Sequence, residues 1–104
     1  LRSYMNDVVI DESLLRYITQ IVQQTRSSRA VYLGASPRAS VAMLQASKAY
    51  ALLRGRDFVT PEDIKAVTPS ILQHRLVLTA EAEMEGYTAY KVAMKLIDKV
   101  EVPK

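Results

Sequence analysis

The segment Gly34-Ala35-Ser36-Pro37-Arg38-Ala39 carries the sharpest chemical pattern in the chain. Ser36-Pro37 reads as a strong helix start. Serine can accept from free first-turn amides, and proline at the first helical position forfeits no needed hydrogen bond. Arg38 then lies in the first turn of a helix. The unpaired amides and the helix dipole there favour a nearby anion. Arginine adds a permanently charged fork that matches phosphate oxygens. A cation at a helix N-terminus is mildly unfavourable by itself, and an anion would offset that. The other reading is an ordinary surface arginine, and the residues alone leave both open.

The elements around this segment must hold it. Asp11 is a plausible N-cap, and Leu14, Leu15, Ile18, Ile21, Val22 and Thr25 follow at helical spacing, which predicts an amphipathic helix over 12–25. Arg26 to Ser36 reads as a loop. The helix opened by Ser36-Pro37 should run to Arg54 and stop at Gly55. It has little polar surface: Ala39, Ala42, Met43, Ala46, Ala49 and Leu53 on one side, Val41, Leu44, Ala51 and Leu52 on another. Such a helix is expected at the centre of a bundle, where Ala46→Leu would overpack.

Phe58-Val59 can anchor the following link. Thr60-Pro61-Glu62-Asp63 opens a third helix with a cap, a proline and acids near the positive end. Ile64, Val67 and Ile71 give it a stripe, and Pro69 is expected to kink or split it. Leu76 to Leu78 is an extended candidate, and Ala80 to Gly86 reads as acidic and exposed. Thr88 caps a fourth helix with Ala89, Val92, Ala93, Leu96 and Val100 inward, ended by Val102-Pro103. The expected fold is all-α, a small bundle of about four helices with at most a few short extended segments. There are no internal repeats.

Composition narrows the functions. At 104 residues the chain fits one domain, and such a size buries roughly 60–70% of its unfolded surface. It has no cysteine and one histidine, which removes disulfide, thiol-nucleophile and multi-histidine metal chemistry; no metal ligands are expected. The formal net charge is +3 with both signs interspersed, which suits an anion or an acidic partner surface. No apolar run approaches the ~20 residues that span a bilayer, so no membrane insertion is expected, and a cytoplasmic compartment is the default. A first residue other than methionine suggests a piece of a longer protein. The three glycines, Gly34, Gly55 and Gly86, are far apart, and no Gly-x-x-x-x-Gly-Lys loop exists to cradle phosphates. No catalytic triad motif is recognisable, so the chain alone is not expected to be catalytic.

The same phosphate-suited segment, followed by Ala49 to Leu53, then Arg54-Gly55-Arg56-Asp57-Phe58-Val59-Thr60-Pro61-Glu62-Asp63-Ile64 and His74-Arg75-Leu76, resembles the C-terminal lid of MoxR-type AAA+ ATPases, a group similar to the magnesium chelatases. Val100-Glu101-Val102-Pro103 also resembles that family's C-terminus. The resemblance covers nearly the whole chain after residue 10. It implies that residues 1–10 are a linker from a P-loop ATPase domain and residues 11–104 the helical lid. It implies that Arg38 is the "sensor 2" arginine, acting on ATP bound to that upstream domain, with Gly34, Ser36, Pro37 and Tyr32 near the nucleotide. ATP and Mg²⁺ would belong to the full-length parent, with neither expected on the isolated domain. The implied partners are the upstream AAA+ core domain, neighbouring subunits of a hexameric ring, and a protein with a von Willebrand factor A domain; no nucleic acid is expected. The implied role is chaperone-like remodelling or maturation of client proteins. Lys91 departs from the family pattern, which places an acid in the opening turn of the last helix.

Other residues have ordinary readings beside their functional ones. Tyr32 can lie near adenine in this ATPase class or pack on the bundle edge. Arg29 can touch phosphate or a neighbouring subunit, or be a solvated loop arginine. Arg54, Arg56 and Asp57 are expected to form local ion pairs around Gly55. His74-Arg75 is read as helix-end capping, and Lys91, Lys95 and Lys99 as a solvated face. Two other functions compete with the lid. A long helix, a loop and Val59-Thr60-Pro61-Glu62-Asp63 resemble the middle of a histone-fold-like DNA-binding or dimerisation module, although the helix is short for it and dense basic clusters are lacking. A protein-binding helical adaptor is the third.

Overall fold

The computed structural model describes residues 8–103; most of the expected linker, residues 1–7, lies outside them. Five helices and one two-stranded sheet make up the described residues: α1 (Glu12–Ser27), β1 (Val31–Leu33), α2 (Pro37–Leu53), α3 (Pro61–Leu72), β2 (Val77–Leu78), α4 (Ala80–Met84) and α5 (Ala89–Lys99). The fold is mostly helical, as the apolar spacing implies. Helix α1 packs on α2 and α5, and α3 on α2 and α5, so the four long helices close into a ring around one core. Tyr17, Ile21, Met43, Ile64 and Leu72 fill that core and are fully buried.

Local chemistry sets the helix ends. Proline occupies the first turn of both α2 and α3. The Asp63 carboxylate accepts from the Thr60 N–H at 2.8 Å, the acidic half of a capping box. Thr79 accepts from the Ala82 N–H and Thr88 from the Lys91 N–H, both at 3.2 Å. Asp11 stands at the N-cap position of α1 without bonding a first-turn amide. Its carboxylate instead accepts from the Ser13 hydroxyl, which holds its pKa below the usual value. Helix α2 is followed by Gly55 at φ 77°, a left-handed position that favours glycine.

Several expectations are corrected. Helix α3 is not split at Pro69. That residue is buried inside the helix, and its carbonyl accepts from the Gln73 N–H at 3.0 Å. Proline removes one internal bond, and the packed ring of helices tolerates the loss. The acidic stretch after Thr79 is exposed as expected except at Ala82, and it forms the short helix α4. Part of the arginine- and serine-rich loop is β1, which pairs antiparallel with β2, Val31 opposite Leu78 and Leu33 opposite Val77, with an irregularity between. Residues 8–10 join the domain as well: Val8 is buried, and Val9 exchanges backbone bonds with Asp57 and Val59 at 2.8 and 2.9 Å.

Helix α2 is not surrounded. It buries one stripe, Ala39, Met43, Ser47 and Ala51, spaced four apart. Val41 is 54% and Leu53 88% exposed, and Ala46 is half-buried beside an open groove. An all-round apolar helix has no moment to say which side turns inward. The buried stripe is the one able to approach α1 and α3 closely. Overpacking is therefore expected at Ala51, not at Ala46. Ala51→Leu should cost ~1–3 kcal/mol, and Ala46→Leu should stay within ~0.5 kcal/mol of the unaltered chain. Thermal melts of the two variants check this, and equal losses would contradict it.

Candidate functional site

The segment around Arg38 is built by contacts that begin on α1. Thr25 is fully buried near the end of α1. Its hydroxyl donates to the Val22 carbonyl at 2.6 Å and accepts from the Ala35 N–H at 3.0 Å. Arg26, the next residue, donates from Nε to the Ala35 carbonyl at 3.2 Å. Both backbone groups of Ala35 are thus held by two neighbouring side chains of one helix. Gly34 makes the approach possible. A Cβ there would stand 2.9 Å from Arg26 Cγ and 3.0 Å from Arg26 Cα and N. The methylene could move; the helix backbone could not.

This clasp delivers the chain into α2. Ser36 and Pro37 are exposed, and Arg38 is exposed in the first turn. Ser36 occupies the N-cap position in extended backbone, and its side chain makes no cap bond, contrary to the expected serine cap. The Ala39 N–H is taken by the Ser36 carbonyl at 2.9 Å. No acid lies in the first turn of α2. Among the described residues the Arg38 guanidinium has no hydrogen-bond or ion-pair partner, the one ion pair being Arg56 with Asp63. What remains at this corner is one unpaired guanidinium, one free serine hydroxyl and the first-turn amide of Arg38. That set can touch the edge of an anion.

The sequence-predicted residues are therefore gathered into one short run between β1 and the first turn of α2. Tyr32 does not pack on the bundle edge: it lies on β1 and is 80% exposed. Arg29 is exposed in the turn before β1. Arg56 pairs with Asp63 instead of Asp57, and also lies over the Phe58 ring, 6.0 Å from its centre. Arg54 lies over Tyr50 at 5.6 Å. His74 and Arg75 are exposed just beyond α3, and neither side chain caps a helix carbonyl among the described residues. Lys91, Lys95 and Lys99 are exposed on α5, with the Lys95 ammonium donating to the Tyr87 hydroxyl at 3.0 Å. Sequence reasoning missed Thr25 and Arg26 as the holders of the site. The available signal was a threonine on an otherwise apolar stripe, because a buried hydroxyl must find partners.

No group of three or more acidic or histidine side chains among the described residues could hold a metal ion. The corner offers too few donors to hold a nucleotide by itself. The family model of the AAA lid domain matches residues 23–96. This chain belongs to the AAA lid domain family. Its likeness within that family is to lids of MoxR-type AAA+ proteins. It is 43% identical to the uncharacterized protein YeaC of Bacillus subtilis, over 99% of this chain and 32% of that protein. It is 35% identical to the chaperone MoxR1 of Mycobacterium tuberculosis, over 91% of this chain and 28% of that one. A crystal structure of a candidate ATPase from Cytophaga hutchinsonii superposes with a TM-score of 0.91 at 37% identity, over 99% of this chain and 34% of that one. The chain thus spans about a third or less of each of these relatives.

The clasp is testable without any ligand. Thr25→Val keeps the shape of the side chain and strands the Ala35 N–H, which should cost ~1–3 kcal/mol. Gly34→Ala forces the loop off α1 at a similar cost of ~1–3 kcal/mol. Because both loosen one contact, the double variant should lose clearly less than the sum. Denaturant unfolding of the three variants measures this, and strict additivity would refute a shared clasp.

Proposed function

We propose that this domain is the lid of an ATP-hydrolysing AAA+ protein and that Arg38 serves as its sensor 2 arginine, contacting the terminal phosphate of ATP held by a P-loop core domain. The observation that carries the reading is an exposed, unpaired arginine at the start of a long helix whose entry is clasped to its neighbour. ATP would bring the transferable phosphoryl group, and Mg²⁺ the charge that neutralises it, both bound chiefly by the core domain. On the lid, Arg38 would place a fixed positive charge where negative charge lies on the phosphate oxygens. Ser36 and the first-turn amide would add donors. Gly34 and Pro37 would act through backbone shape, and Tyr32 would offer an exposed ring beside the base.

Loss of the terminal phosphate would remove the partner of Arg38 and change how strongly the lid is held. Such a change biases lid position only through the difference in contact energy between the two nucleotide states. In a ring, the displacement would pass to the neighbouring subunit and serve remodelling of client proteins. The MoxR1 name, which calls that relative a chaperone, supports this role.

ATP turnover by the full-length parent tests the assignment. Arg38→Ala should lower kcat ~10–1000-fold, equivalent to roughly 1.4–4 kcal/mol of transition-state stabilisation. Melting temperature and assembly size should not change, since Arg38 is exposed and its side chain has no hydrogen-bond or ion-pair partner among the described residues. Unchanged turnover would remove the sensor role.

A further inference from the structure

An open groove of about 660 Å³ runs between α2 and α3. Ala42, Gln45 and Ala46 line it from α2, Ile71 from the end of α3, and His74 and Arg75 from the turn that follows. We propose that this groove seats an acidic segment of the ATPase core domain, whose carboxylates meet Arg75 and His74. The proposal rests on the lid reading above and extends it to a second, separate contact.

Three observations support this occupant. The first is continuity: Ala42 lies four residues after Arg38, one turn further along the same side of α2. A body that reaches Arg38 would therefore border the groove. Leu53, 88% exposed, lies about one-sixth of a turn from Arg38 around the same helix, ~22 Å further along its axis. The second is charge. No carboxylate lines the groove, and neither His74 nor Arg75 has a side-chain partner among the described residues. Covering Arg75 without an anion would leave a desolvated charge unpaired, so the occupant must bring acids. The third is the floor. Ala42, Ala46 and Ile71 are small or apolar, which suits the close approach of a packed segment. A free anion would leave that floor wet. Nucleic acid would call for a denser basic surface than these two side chains provide.

A zero-length coupling experiment on the full-length parent tests the contact. Arg75→Lys keeps the charge and introduces a reactive amine at the groove. Carbodiimide then joins that amine to any carboxylate in contact with it, and mass spectrometry of the digested protein identifies the joined peptide. The expected product links position 75 to an aspartate or glutamate of the core domain. Filling the groove with Ala46→Trp should lower its yield about tenfold, the effect of ~1.4 kcal/mol of lost docking. A thermal melt confirms that this second variant is folded. Coupling only within residues 1–104, only to another lid or a client, or to nothing would overturn the proposal. So would an undiminished yield in the folded, groove-filled variant. The two assignments fail separately. If Arg38→Ala abolishes turnover and no core peptide is joined, only the groove proposal falls. If a core peptide is joined and turnover is indifferent to Arg38, the docking contact stands and the sensor role falls.

Discussion

The position of α2 depends on one buried hydroxyl. Thr25 is fully enclosed, and its oxygen both donates to Val22 and accepts from Ala35. A buried amide without a partner is costly, whereas the gain from a satisfied one is modest. The interaction therefore specifies more than it stabilises: conformations in which Ala35 leaves α1 strand a donor away from water. Gly34 sharpens the choice, since only a residue without a Cβ lets the loop lie against the Arg26 backbone. Two elements that belong to different parts of the sequence are thereby held at one spacing, and α2 starts from a fixed point.

The other end of α2 has its own tie. Arg56 donates its backbone N–H to the Ala51 carbonyl at 2.9 Å, closing the turn around Gly55. Its guanidinium pairs with Asp63, which is nearly fully buried and also accepts from the Thr60 N–H. A carboxylate placed so deeply would be unstable unless partnered. The pair gains little net energy against an apolar replacement. Its effect is to join the end of α2 to the start of α3. Val9 adds backbone bonds to Asp57 and Val59 on the same turn, so the entering chain is attached here as well.

Much of this could be read in the residues because the signals are local. Ser36-Pro37, Thr60-Pro61 and Thr88 mark helix starts by what proline and short polar side chains can do at a first turn, and Gly55 marks an end by its left-handed backbone. Arg38 stands out in the sequence the same way, as a charge two residues after a helix start. What escaped depends on distant partners. Val31-Tyr32-Leu33 is too short to announce a strand, and its partner, Val77-Leu78, lies beyond two helices. Tyr17 is fully buried with its hydroxyl unpartnered among the described residues, and burial pushes its pKa up, helped by Asp98 and Glu62. Its place three residues after Leu14 and four before Ile21 puts it on the buried stripe, but the spacing does not show that its hydroxyl is enclosed as well. Helix α2 was placed too deep because alanine is equally at home inside and outside. Its exposed side became visible only once α1 and α3 had taken the other.

The two ties also decide how loads travel. Helix α2 is held to α1 at its start and to α3 at its end, and α3 carries the far wall of the groove. Arg38 and one wall of the groove belong to the same helix, and the start of α3 cannot leave the end of that helix without unpairing the Asp63 carboxylate. A contact at the first turn of α2 and a contact in the groove therefore act on one rigid body. If each is stronger in the same position of the lid, their energies add in favouring that position. Each then strengthens the other by an equal amount, because coupling between two binding events is reciprocal. A single unpaired arginine at the domain's corner could bias little alone. If it contacts the nucleotide as proposed, and the groove docks as proposed, it would need to supply only the part of the energy that changes with the nucleotide.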